Sequence, residues 1–404
     1  MTTPEPTQRC TFVTFYSYKG GTGRSMALAN VACLLGQELA KSGGKVCVID
    51  WDLEAPGLHR YFPVAEVAEN ADRPGIIDYF ADIRQNLDDE SYQKLREPDG
   101  WRVLDEKAPL FPHIVENAAA GVDLIKAGRF GPDYADRVAS FDWADFYRSR
   151  HEVFTVLRDL LGARYQWCLI DSRTGLSDVS GVCTMLMPEK LVAAFTPNRQ
   201  SVDGMLDLVN KAVEYRRRSN DPRPLAVFPL PSRIVTEEHK LLQEAQTTYR
   251  AKFEQCFQRA YGIGRCDLGE YFEEVAIPHK GFYGFAEQVA VRDDASTTDA
   301  LSINRAYERF HRRLVALDCA WDKDEATGAA EAVQAQSFQY DVFLSYSHRD
   351  REWIERFIES LRLITRLKTG RELRVFRDDG GHSLPMRDWN AQIRVELEQS
   401  AIII

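Results

Sequence analysis

Three glycines crowd into the four residues Gly20-Gly21-Thr22-Gly23, between an apolar stretch (Phe12, Val13, Phe15) and a helix-patterned stretch from Met26 to Leu39. Few short patterns constrain a fold as tightly. Glycines at a strand-to-helix junction let backbone N–H groups turn inward at phosphate oxygens. The helix that follows adds its positive end, and a hydroxyl such as that of Ser25 can reach Mg2+. The pattern predicts a strand over Thr11–Ser17, a phosphate-binding loop over 18–25 and a helix over Ser25–Lys41. A chain built this way handles a nucleotide.

Two residues depart from the G-x-x-x-x-G-K-[ST] pattern: Tyr18 stands at the first glycine and Arg24 at the lysine. Arginine is a planar fork that favours bidentate contacts, whereas lysine is a point charge, so binding should survive this exchange better than turnover. With Lys19 directly ahead of the double glycine, the segment K-G-G-T-G-R-S resembles the deviant Walker A loop of the ParA/MinD class of dimerising P-loop ATPases. The resemblance implies ATP as the nucleotide and contacts to it from Gly20, Gly21, Thr22, Gly23, Arg24 and Ser25. It also implies a homodimer that sandwiches the nucleotide, with Lys19 reaching the partner's phosphates as an arginine finger would.

At 404 residues the chain is long enough for two unequal domains. Its 44% hydrophobic and 28% charged residues are ordinary for a globular protein. No apolar run approaches a membrane span, and Met1–Gln8 lacks the basic and apolar parts of a signal peptide, so the expected location is the cytoplasm. The eight cysteines show no C-x-x-C pairing and read as reduced core residues; the eight histidines form no metal-ligating cluster. With a net charge of −10 and only short basic runs, at Arg216-Arg217-Arg218 and Arg312-Arg313, the sequence indicates no dedicated nucleic-acid surface.

Residues 9–320 alternate strand-like and helical patterns, the signature of a doubly wound, mostly parallel α/β sheet. Strands are expected at Thr11–Ser17, Lys45–Asp50, Val122–Ala127, Gln166–Asp171, Lys190–Thr196 and Leu225–Pro229. Helices are expected at Ser25–Lys41, His151–Leu161, Val179–Met187, Ser201–Arg217, Glu237–Tyr261 and Asn304–Leu317. The aromatic-rich stretch Asp72–Arg150 reads either as core or as an insertion that meets a partner. Residues 321–338, acidic and alanine-rich, read as a linker without the basic amphipathic face that would dock on a membrane.

Ligands in such sheets gather at the carboxyl ends of the strands. Two acidic strand ends fall there. Asp50 and Asp52 emerge together from one strand; by resemblance to the family, Asp50 approaches the Mg2+ shell and Asp52 orients the attacking water. Four apolar residues precede Asp171 in a Walker B pattern, which assigns Asp171, with Ser25, to the Mg2+. The loop after it carries Arg173 and Thr174 where the family usually has a proline pair. The later strand ends at Ala194–Asn198 and Phe228–Arg233 occupy the family's base-recognition positions, so Asn198 and Arg233 are candidates for nucleotide contact.

Residues 339–404 begin with Tyr340-Asp341-Val342-Phe343-Leu344-Ser345-Tyr346-Ser347 and continue through a helix containing Ile354, Phe357, Ile358 and Leu361 to Val375-Phe376-Arg377-Asp378-Asp379. This order closely resembles the start of a TIR domain, a flavodoxin-like module, with a BB-type loop after Asp379 in which Pro385-Met386 replaces Pro-Gly. The resemblance implies TIR self-association. It covers three of five strands, so the expectation is an incomplete module without NAD+ hydrolase activity, and a natural chain that continues or is completed by a partner. Three functional readings stand: an ATP-dependent dimerising switch that controls TIR modules in bacterial signalling or anti-phage defence, a nucleotide-sensing adaptor with little turnover, and a partitioning or cargo-positioning ATPase. The acidic charge speaks against the third.

Overall fold

The computed structural model describes residues 10–97, 99–175, 181–219, 225–235, 238–284, 287–293, 302–316, 318–321, 340–344, 351–369, 372–377 and 400–403. Its main body is a sheet of seven strands: β1 (Thr11–Tyr16), β2 (Val46–Trp51), β3 (Ile114–Ala119), β4 (Val122–Ile125), β5 (Trp167–Ser172), β6 (Lys190–Phe195) and β7 (Ala226–Pro231). They lie in the order β3-β4-β2-β5-β1-β6-β7. All neighbours are parallel except β3 and β4. The six strands expected from the sequence are present, each ending within two residues of its expected bounds. The seventh, β3, escapes a pattern reading because its register shifts between Val115 and Ala119 and Asn117 takes a positive φ of 52°, which breaks the alternation of an edge strand.

Successive side chains of a strand point to opposite faces, and here both faces are covered. Val13, Phe15, Val46 and Val48 belong to one core, with helix α1 (Arg24–Ala40) and the helices Arg199–Arg218 and Ile303–Ala316. Phe12, Cys47, Ile49 and Trp51 belong to the other, with the helices Ile76–Asn86 and Glu152–Gly162. Covered on both sides, β2 is buried at every position, which is why such strands read as unbroken apolar runs.

The aromatics of the Asp72–Arg150 stretch settle into this second core. Phe80 is fully buried, its ring centroid 4.9 Å from Trp143 and 5.5 Å from those of Trp51, Phe146 and Phe154. Of the two readings of that stretch, these side chains follow the packing one. All eight cysteines are buried and unbridged, with the Cys10 and Cys168 sulfurs 3.5 Å apart. The expected helix Val179–Met187 is described only from residue 181, and Val182–Leu186 within it is a π-helix.

A second, three-stranded parallel sheet contains β8 (Tyr340–Leu344), β9 (Val375–Arg377) and β10 (Ser400–Ile403), in the order β10-β8-β9. The helix Arg351–Thr369 lies between β8 and β9 in sequence, and its Ile354 and Ile358 are buried with Val342 and Leu373. Nearly all of the 321–338 segment and the loop after Arg377 lie outside the described residues.

Candidate functional site

The glycine-rich loop leaves the carboxyl end of β1 and enters α1 directly. Gly21 (φ 72°) and Gly23 (φ 85°) adopt the left-handed conformation that glycine takes without a steric penalty, and Gly23 is the N-cap of α1. Space is short at Gly23 as well: a Cβ there would lie 3.2 Å from Ser232 Oγ. Thr22 is buried and its Oγ1 has no hydrogen-bond partner among the described residues, so the loop holds a polar group with its bonding capacity unused. Lys19 is half-buried, and its carbonyl accepts a 2.9 Å bond from Ser17 Oγ. Tyr18 lays its ring against Gly204 so closely that a Cβ at 204 would come within 2.3 Å of it. The first-glycine position is therefore filled by an aromatic ring that a glycine on another helix makes room for.

Sheet order brings the acidic residues to this loop. Because β5 lies between β1 and β2, Asp171 is opposite Phe15 on one side and Asp50 on the other. Asp50, Asp52 and Asp171 are all buried. Asp50 Oδ1 and Oδ2 accept 3.2 Å bonds from the backbone N–H groups of Asp52 and Leu58, which shapes the segment after β2. Ser25 Oγ donates to Asp171 Oδ2 at 2.5 Å.

Arg24 turns toward these carboxylates. Its Nε lies 2.5 Å from Asp171 Oδ1 and its Nη2 2.7 Å from Asp52 Oδ2, with 6% of the side chain exposed. The third nitrogen, Nη1, is buried without a hydrogen-bond partner among the described residues. Burial opposes the guanidinium charge, but Asp171 and Asp52 more than offset it and hold Arg24 protonated. Burial, reinforced by Asp171 and Asp52, pushes the Asp50 carboxyl well above the usual carboxylate range. Burial also raises Asp171, while Arg24 and Ser25 pull it back.

Three buried carboxylates against one guanidinium leave an acidic excess of hard oxygen donors, the donor set that Mg2+ prefers. Among the described residues no three acidic, histidine or cysteine side chains stand close enough together to enclose a metal ion, so the fit is to an ion held through one or two carboxylates and water, as Mg2+ usually is. Asn198 and Arg233 lie at the ends of neighbouring strands but are exposed. Asn198 caps the helix Arg199–Arg218 by accepting from Ser201 N at 3.0 Å and donates to Thr196 Oγ1 at 2.5 Å; Arg233 sits on a left-handed backbone, φ 54°. One pair is missing from the sequence reading: Arg173 Nη1 lies 2.5 Å from Glu54 Oε1, bridging the segments that follow β5 and β2. Its signal was a pair of mutually opposite charges, Glu54 two residues after Asp52 and Arg173 two residues after Asp171.

No family model and no curated protein matches the chain. Solved structures do. The ATP complex of a McdA variant from Cyanothece aligns over 77% of this chain and 98% of its own at 13% identity, with a TM-score of 0.50. The two share a fold. MinD from Pyrococcus horikoshii, complexed with Mg-ADP, aligns over 76% of this chain and 98% of its own at 16% identity and a TM-score of 0.48. For the cell division ATPase MinD from Pyrococcus furiosus the figures are 75%, 98%, 16% and 0.47. The likeness to the McdA complex concerns the fold alone, here the seven-stranded, mostly parallel α/β sheet.

Proposed function

We propose that this chain binds ATP with Mg2+ at the loop 18–25, hydrolyses it, and uses the nucleotide state to control its self-association. One observation carries the reading: the left-handed glycines 21 and 23, the start of α1 with its half-buried Ser25, and the buried Asp50, Asp52 and Asp171 converge at the carboxyl end of β1, β2 and β5. Backbone N–H groups of the loop cradle the phosphates, and Asp52 orients the attacking water. Ser25, Asp50 and Asp171 would hold Mg2+, which supplies charge neutralisation at the phosphates. Lys19 is assigned to the partner's nucleotide. Its Lys19→Ala variant should keep most ATP affinity and lose ATP-dependent dimerisation in light scattering.

Residues 339–404 are read as a TIR-like module carried by this switch. In support, β8 is central with β9 and β10 on either side, all parallel, which is how the 2-1-3-4-5 order of flavodoxin-like sheets begins. Titration calorimetry with ATP and Mg2+ tests the site: the parent should bind, and Asp52→Ala should lower hydrolysis more than affinity. No heat of binding in the parent rejects the site; equal losses of affinity and turnover in Asp52→Ala reject the water-orienting role.

A further inference from the structure

Arg24 stands where the motif calls for a phosphate-gripping lysine, yet two of its three nitrogens are bound to carboxylates of the chain itself. Nε is 2.5 Å from Asp171 and Nη2 is 2.7 Å from Asp52, and only Nη1 is left unpartnered among the described residues. The residue so engaged, Asp52, is the one assigned to the attacking water. A carboxylate oxygen that accepts a charge-assisted bond from a buried guanidinium is a weaker acceptor for a water proton and is fixed in direction. Around it the same two segments are joined a second time, by Arg173 and Glu54 at 2.5 Å.

We propose that Arg24 is a positioning residue that clamps Asp52 against Asp171, so that nucleotide binds readily at this site while turnover waits for Asp52 to be released. This rests on the reading of the loop as an ATP site. The clamp depends on the planar fork: Nε and Nη2 diverge at fixed geometry onto two carboxylates, a direction that the rotatable ammonium of lysine does not hold. Lysine keeps the positive charge among the three buried carboxylates, so Arg24→Lys separates the fork from the charge.

The test is full-length Arg24→Lys, with Asp52→Asn made in both the parent and the Arg24→Lys background. ATP affinity is followed by calorimetry and hydrolysis by steady-state kinetics. Arg24→Lys should raise kcat about tenfold or more with ATP affinity within about threefold of the parent. Asp52→Asn should abolish turnover in both backgrounds while leaving binding in place. Without nucleotide, Arg24→Lys should also unfold at lower urea concentration than the parent, a deficit that saturating ATP narrows. A kcat at or below the parent's in folded, ATP-binding Arg24→Lys overturns the clamp. So does a gain in kcat that survives Asp52→Asn. A parent that binds no ATP overturns the site itself, a different result from either.

Discussion

The loop glycines provide a graded test of the backbone geometry, because the structure assigns each a different penalty for a methyl group. Gly20 has no positive φ, and no atom of the described residues would lie within 4 Å of a Cβ added there; Gly21 has φ 72° and equally open space; Gly23 has φ 85° and Ser232 Oγ at 3.2 Å. Forcing an L-residue into the left-handed region costs about 1–2 kcal/mol. Replacing glycine by alanine also restricts the unfolded chain, which offsets about 0.4–1 kcal/mol of that cost. Gly20→Ala should therefore leave stability unchanged or slightly raised, and Gly21→Ala should lose roughly 1 kcal/mol. Gly23→Ala should lose more, on the order of 2 kcal/mol, because the buried Ser232 must also give way. Urea denaturation without nucleotide reads the order directly, with an unchanged slope confirming that midpoints report stability. Equal midpoints for the three variants, or Gly20→Ala as the worst, would refute this loop conformation.

Phe80→Ala removes the ring around which Trp51, Trp143, Phe146 and Phe154 pack and should cost about 3–5 kcal/mol; a loss under about 1 kcal/mol in urea would mean that these aromatics do not form a core. Lys126 is buried, donates to the Asn70 and Ala71 carbonyls at 2.8 and 2.6 Å, and is lowered by burial to about 8 against the opposing pull of Asp72 and Asp78. Between that value and the ordinary lysine pKa the unfolded chain binds the extra proton. The parent's stability relative to Lys126→Met should therefore rise by about 1–3 kcal/mol as pH climbs through that window. A difference that stays flat from about pH 7.5 to about 10.5 removes the argument.

The six mutually parallel strands were legible because burial on both faces makes each an apolar run between turn signals, and the loop was legible because its glycines are a local requirement. The site's acidic members were legible one by one, as polar residues at strand ends. Their pairing was not. Asp171 meets Asp50 only because β5 lies between β1 and β2, and no local pattern records that order. Arg24 was expected to reach for phosphate; its partners Asp52 and Asp171 lie 28 and 147 residues along the chain. Glu54 and Arg173 are hidden for the same reason. At β3 the failure is of another kind, since a bulged edge strand lacks the period that a pattern reading needs.

Tyr18 and Gly204 form a ring and the notch that receives it, one on the loop and one on the helix Arg199–Arg218. The freedom of the two positions to vary is therefore conditional and has an order. While the tyrosine stays, any side chain at 204 collides with it; once position 18 shrinks, 204 is released. Double substitutions that begin at 18 avoid that collision, whereas those that begin at 204 meet it first. An engineer who restores glycine at 18 also opens a recess on that helix, beside the candidate nucleotide loop, where a cysteine-linked reporter could be seated.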